Sequence, residues 1–128
     1  MLNNLIENAI KYTPAGWVTV NVRADNYNVQ IIVEDTGIGV ARSELSHIFQ
    51  KFYRVDNRDT REIGGTGLGL YLVQQRVEAM NGRVWAESEL GKGTRFIVML
   101  PRIGEEAYRQ QRFYLDNQQA QGLENIDF

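Results

Sequence analysis

Apolar residues recur along the chain with two periods, and each change of period marks a new element. Leu2, Leu5, Ile6, Ala9 and Ile10 fall at helical spacing. Thr13-Pro14 ends that helix, because the residue before a proline is pushed out of the α region. Val18, Val20 and Val22 then alternate with polar residues, as a half-buried strand does. Val29, Ile31 and Val33 repeat the alternation after the turn-like Asp25-Asn26. Ser43 is placed to cap a helix running to about Lys51. Leu70, Val73, Val77 and Met80 predict an amphipathic helix over 67–80, closed by Asn81-Gly82. Val84 to Glu87 and Thr94 to Leu100 read as strands joined by a Gly91-Lys92-Gly93 turn. The order is α, β-hairpin, α, loop, α, β-hairpin. It predicts an α+β fold: a two-layer sandwich with a mixed, mostly antiparallel sheet and helices on one face.

Composition narrows the functional classes. The 128 residues contain no Cys, which excludes disulfides, Cys-zinc sites and thiol catalysis. Fourteen basic against sixteen acidic residues give no bulk attraction to nucleic acid or to an anionic membrane. No apolar run approaches the ~18 residues of a membrane span, so a cytoplasmic domain is expected, with any anchor elsewhere in a parent protein. Charge divides the chain. Residues 1–103 carry a net +1 (12 basic, 11 acidic) and residues 104–128 a net −3 (2 basic, 5 acidic), the latter with five glutamines. A domain over 1–103 and a polar, Gln-rich tail over 104–128 follow, the tail expected to form little more than one helical turn. Tyr108, Phe113, Tyr114 and Leu115 give that tail something to dock with.

Four clusters carry chemistry. On the first helix, Asn4, Asn8 and Lys11 share one stripe, with Glu7 and Tyr12 beside it. An amide oxygen suits a hard Mg²⁺ and a lysine suits a phosphate oxygen. Second, Asp35-Thr36-Gly37-Ile38-Gly39 follows a strand. Its aspartate is placed to accept from an exocyclic amine such as adenine's, and its glycines allow close approach to a flat ligand. A dinucleotide-binding fingerprint fails here at the third glycine, where Arg42 stands. Third, Gly64-Gly65-Thr66-Gly67-Leu68-Gly69-Leu70 opens the long helix and offers free N–H groups to an anion. No Gly-Lys-Ser/Thr follows, so it is not a Walker A loop. Fourth, Ile48 to Arg54 forms an aromatic hinge before a charged loop, Asn57 to Glu62, in which Lys51, Arg54, Arg58 and Arg61 are candidates to meet phosphates.

In this order the clusters resemble the catalytic ATP-binding domain of bacterial sensor histidine kinases, part of the wider Bergerat ATP-fold group. Asn4 to Pro14 resembles the N box, Asp35 to Gly39 the first glycine box, Ile48 to Arg54 the F box, and Gly65 to Leu70 the second glycine box. Gly91 to Phe96 resembles the closing strand motif. The resemblance implies ATP and Mg²⁺ as cofactors. Asn8 would hold the Mg²⁺ that bridges the phosphates, with Asn4 nearby. Lys11 would meet phosphate and Tyr12 the base or sugar side. Asp35 would read the adenine amine, Gly37 and Gly39 would shape the adenine wall, and Thr94 would support that site through Asp35 or water. Gly65, Thr66, Gly67, Leu68 and Gly69 would wrap the phosphates. Arg54 and Lys51 would approach the γ-phosphate.

The implied partners are a dimerisation domain bearing the phosphoacceptor histidine and a response regulator. An amide at Asn4, where the gyrase-like ATPases carry a glutamate, cannot take a proton from water. Phosphotransfer is therefore expected over hydrolysis. His47, the only histidine, lacks the acceptor's sequence context and is expected to play no catalytic part. Only three residues precede the N box, so the resemblance also implies an absent first strand and helix, and an edge open to strand swapping or edge pairing between copies. Two other readings compete: an anti-sigma-factor-like serine kinase, which would lack Phe49, Phe52 and Arg54, and a degenerate, nucleotide-free interaction module.

Overall fold

A computed structural model describes residues 1–55, 67–102 and 105–124. The order is α1 (Leu2–Lys11), β1 (Val18–Ala24), β2 (Asn28–Asp35), α2 (Gly69–Ala79), β3 (Arg83–Glu89), β4 (Gly93–Pro101) and α3 (Glu105–Glu124). The four strands form one sheet in the order β1-β2-β4-β3, and every pairing is antiparallel. Helices α1 and α2 pack on each other and on one face of the sheet.

That face is read directly from the register. Val33 lies opposite Phe96 and Ile31 opposite Val98, while Val84 pairs with Val98 on the far side of β4. Leu5 and Ala9 of α1 and Val73 and Val77 of α2 close over this row, all fully buried with Val33, Phe96 and Val98. On the opposite face Arg95 lies between Glu34 (3.4 Å) and Glu87 (3.8 Å), a solvated cross-strand triad.

Local chemistry explains the turns. The Asp25 carboxylate accepts from the Tyr27 and Asn28 amides, each at 2.7 Å, and closes the β1–β2 hairpin. Those two amides also hold its pKa below the ordinary carboxylate value. At the end of α2, Asn81 takes a φ of 60° and the Gly82 amide donates to the Val77 carbonyl at 2.9 Å. This is the left-handed stop that the Asn-Gly pair predicts.

Three expectations are corrected. Residues 43–51 do not form an α-helix. Instead the amides of Glu44, His47 and Gln50 donate three residues back, to the carbonyls of Ala41, Glu44 and His47, each at 2.9 Å. Three-residue winding stacks Leu45 and Ile48 on one side, and both pack on the core. The helix expected from residue 67 starts at Gly69, because Gly67 has a φ of +75°, outside the helical region. The C-terminal segment forms a 20-residue helix, far more than one turn. It has no Gly or Pro before Gly122 and is rich in good helix formers. An Arg112–Asp116 pair at 3.7 Å and a Gln118-to-Tyr114 hydrogen bond at 2.8 Å add support one turn apart. Phe113, Tyr114 and Leu115 stand exposed on it. Strand β1 also departs from the half-buried expectation: Val20 and Val22 share the core face, yet are 42% and 63% exposed beyond the reach of the helices.

Among the described residues Phe96 is the largest fully buried side chain, and Phe49 meets its ring edge-on at 6.1 Å. Phe96→Ala should lower the unfolding free energy in urea by about 3–5 kcal/mol. Trp17→Ala, at a side chain 73% exposed, should stay within about 0.5 kcal/mol of the parent.

Candidate active site

A cleft of about 350 Å³ opens between α1, the ends of β2 and β4, the turns after β2 and the start of α2. The α1 stripe forms one wall: Asn4, Asn8 and Lys11 line the cleft with Glu7 and Tyr12. Asn4 and Asn8 are half-buried, while Glu7 and Lys11 are exposed. Asp35, Thr94 and Phe96 line the sheet side. Gly39, Val40 and Ile48 follow, then Tyr53, Arg54 and Val55, and finally Gly67, Gly69 and Leu70 at the helix start.

Asp35 is the electrostatic centre. Its side chain is only 4% exposed. Burial pushes its pKa above the ordinary carboxylate value, opposed by the amides of Gly37 (2.9 Å) and Thr94 (3.2 Å), which both donate to Oδ1. The Thr13 hydroxyl lies close enough to help stabilise the charge, yet makes no hydrogen bond of ordinary geometry. A buried carboxylate that accepts but cannot donate is suited to a neutral ligand's N–H group.

The glycine segment beside it is pinned from three directions. The Ile38 amide donates to the Tyr12 carbonyl at 3.0 Å, and the Ile38 carbonyl accepts from Gly91 at 2.7 Å. The Val40 amide donates to Ser88 Oγ at 2.7 Å. Gly39 has a φ of +76°, and a Cβ there would lie 2.2 Å from the Glu89 carbonyl oxygen, so only glycine fits. Gly67 is similarly constrained: its carbonyl accepts from the Phe52 amide at 2.9 Å, and a Cβ would sit 2.7 Å from the Phe52 carbonyl carbon. Gly69 differs, since a Cβ there would meet nothing within 4 Å among the described residues.

The structure thus gathers Asn4, Asn8, Lys11, Tyr12, Asp35, Gly39, Arg54, Gly67, Gly69 and Thr94 around one cleft. It does not bring Gly37, Lys51 or Leu68 onto the wall. Gly37 lines a shallower pocket behind, with Pro14 and Leu90. The Lys51 ammonium lies 5.3 Å and 5.8 Å from the ring centres of Phe52 and Tyr71. Gly65 and Thr66, with the charged loop from Asn57 to Glu62, lie outside the described residues. Sequence reasoning missed Tyr53, whose hydroxyl donates to the Glu44 carboxylate and whose ring lies 5.5 Å from His47. It also missed Ser88, because nothing in the sequence shows that a strand serine reaches a loop 48 residues away.

Residues 1–104 match the family described as histidine kinase-, DNA gyrase B-, and HSP90-like ATPase, and the chain belongs to it. Within that family it is similar to the ATP-binding portions of sensor histidine kinases. It is 41% identical over 109 residues to the sensor histidine kinase WalK of Bacillus subtilis, covering 83% of this chain and 18% of WalK. It is 44% identical over 102 residues to the sensor histidine kinase RppB of a Synechocystis strain, covering 79% of this chain and 22% of RppB. The chain therefore spans about a fifth of the length of these relatives. Among solved structures it is similar to full-length ShkA in complex with AMPPNP, with a TM-score of 0.69, 38% identity, and 78% of this chain against 20% of that one. It is also similar to the mycobacterial sensor histidine kinase MprB, with a TM-score of 0.65, 28% identity, and 77% against 65%.

The raised pKa of Asp35 has a definite sign. Its folded form holds a proton to higher pH than its unfolded form, so it lowers stability as pH rises from the ordinary value of 3.8 to the raised one. Above that window the cost is constant. Asp35→Asn, whose Oδ1 keeps both amide donors, should melt higher than the parent at neutral pH without nucleotide. Melting curves should converge as the pH falls below the window.

Proposed function

We propose that this chain binds ATP with Mg²⁺ as the catalytic portion of a two-component sensor histidine kinase. In the parent protein it would present the γ-phosphate to a histidine on a separate dimerisation domain, from which a response regulator would take it. The observation that carries this reading is Asp35: a buried acceptor at the sheet end of a cleft whose opposite wall is the Asn4–Asn8–Lys11 stripe. Phe96, Ile48 and Val40 supply apolar surface for a flat base. Gly69 favours the same reading, because neither its backbone nor its neighbours among the described residues need a glycine there, whereas a phosphate approaching the start of α2 would.

The donor set suits Mg²⁺ shared with a substrate. Among the described residues no cluster of three His, Cys, Asp or Glu side chains stands ready to hold a metal alone. Mg²⁺ is commonly held by one or two protein oxygens together with phosphates and water, and the Asn8 amide oxygen would be such a ligand. The ion would neutralise phosphate charge. Lys11 and Arg54 would add positive charge at the phosphate end of the cleft, with Asn4 beside them, so the chain's contribution is positioning and charge stabilisation. Lys51, stacked on its rings, acts as a spacer for the aromatic hinge in this reading. No helix of the described residues is long and apolar enough to cross a membrane.

Edge pairing between copies is favoured by one observation: the outer edge of β1 has no strand partner among the described residues, and Val20 and Val22 stand exposed beside it. Sedimentation should then show a dimer that Val22→Lys disperses. A monomer at every concentration would remove this reading.

Titration of the chain with ATP and Mg²⁺ should give saturable binding, and Asp35→Ala should weaken it at least tenfold, about 1.4 kcal/mol. Binding that survives this substitution unchanged would overturn the adenine assignment. In the complete parent kinase, Arg54→Ala should leave nucleotide affinity within about threefold and lower phosphotransfer by about tenfold or more.

A further inference from the structure

The row Asp35, Thr94, Ser88 crosses three strands on the helix-facing side of the sheet, since Thr94 is the register partner of both Asp35 and Ser88. Ser88 Oγ makes three contacts there. It donates to the Gly93 carbonyl at 2.7 Å and accepts from the Val40 amide at 2.7 Å. It also lies 2.9 Å from Thr94 Oγ1.

A serine hydroxyl has one proton. The Gly93 carbonyl can only accept, so it takes that proton, and the Val40 amide can only donate. The third contact is then a hydrogen bond only if Thr94 is the donor. With its one proton committed to Ser88, the Thr94 hydroxyl has nothing left to donate into the cleft that it lines. Asp35, next in the row, is likewise an acceptor.

We infer that Ser88 is a positioning residue that sets the ligand selectivity of the cleft by fixing Thr94 as a hydrogen-bond acceptor. This deepens the adenine-site reading and rests on it. Two acceptors in a row can take the two N–H bonds of one exocyclic amino group. They reject a base edge that offers a carbonyl at the same place, because a carbonyl there would face lone pairs with no proton between them. The hydroxyl that enforces this never touches the ligand, since Ser88 is not part of the cleft wall. It also ties the Val40 amide, and with it the glycine segment, to the same row.

The test compares ATP with inosine triphosphate, which carries a carbonyl where adenine carries its amine and an N1–H where adenine has a lone pair, and with N6-methyl-ATP, which loses one amine N–H and keeps the N1 lone pair. All three are titrated calorimetrically with Mg²⁺ into the 128-residue chain and its variants. The parent should prefer ATP to inosine triphosphate by at least tenfold, and should also prefer it to N6-methyl-ATP. Ser88→Ala frees the Thr94 proton to turn toward the cleft, and should cut the first preference at least fivefold, largely through tighter binding of inosine triphosphate. Ser88→Thr keeps the hydroxyl and should restore the preference. In a Thr94→Val background Ser88→Ala should leave the ratio unchanged. Ser88→Cys, with a poor acceptor of similar shape, provides a second variant should alanine not fold, and should also lose preference.

If Ser88→Ala weakens ATP and inosine triphosphate by one common factor, Ser88 only braces the turn and the inference is overturned. A parent chain that binds ATP and either analogue equally overturns it too, while leaving nucleotide binding intact. A parent that binds none of the three instead brings down the adenine-site reading on which the inference rests.

Discussion

The rest of the site depends on burying a carboxylate at the end of the central strand pair. Asp35 is 4% exposed, and its charge is tolerated because the Gly37 and Thr94 amides point at one of its oxygens. Those two amides come from opposite directions. One lies in the chain that has just left β2, the other in the first residues of β4. Both are in place only if β2 and β4 pair in their observed register, with Asp35 opposite Thr94. A slip of one residue would turn Asp35 to the outer face and bring Glu34 inward, leaving a carboxylate with no amide to receive it. The raised pKa shows that the compensation is incomplete, so part of the fold's stability is spent holding an acceptor in a dry place.

From that fixed point the cleft is assembled out of pieces that share no local sequence. The first helix contributes a polar stripe, the turns after β2 an apolar wall, and α2 its first residues, Gly69 and Leu70. The Phe52 amide and the Gly67 carbonyl hold together the chain on either side of residues 56–66. Phe52 accepts a φ of 65° to do so, a conformation that costs free energy for an aromatic residue and that neighbouring structure must impose. Such an arrangement suits a reaction in which little covalent chemistry falls to the protein. In the proposed reading a triphosphate would mainly be oriented and its charge offset, with the acceptor supplied by another domain.

Two surfaces remain outside this economy. The core face of β1 extends past the helices, so Val20 and Val22 reach solvent although their alternation reads as buried. Helix α3 alternates aromatic and polar residues without a continuous apolar stripe, and contacts one turn apart support it among the described residues. Periodicity records what a strand could bury, and only the placement of the helices decides what it does bury.

The sequence by itself determined α1, α2 and the four strands, with the chemistry they carry. Leu5 and Ala9, Val73 and Val77, and the alternation through Val33 are local patterns whose period fixes helix or strand. Asp25, Asn81-Gly82 and Thr13-Pro14 stop the chain by chemistry that needs no distant partner. The family motifs likewise named most of the cleft wall, because each lies in one contiguous stretch. What only the tertiary structure decided were relations between stretches. Residues 43–51 wind three to a turn because the core takes Leu45 and Ile48 on one side. Lys51 stacks on rings while Arg54, three residues on, lines the cleft. Ser88 reaches Val40 across 48 residues and sets the direction of a proton on Thr94. Hydrogen-bond polarity of this kind depends on which groups converge within about 3 Å, and strand register, not sequence distance, brings them there.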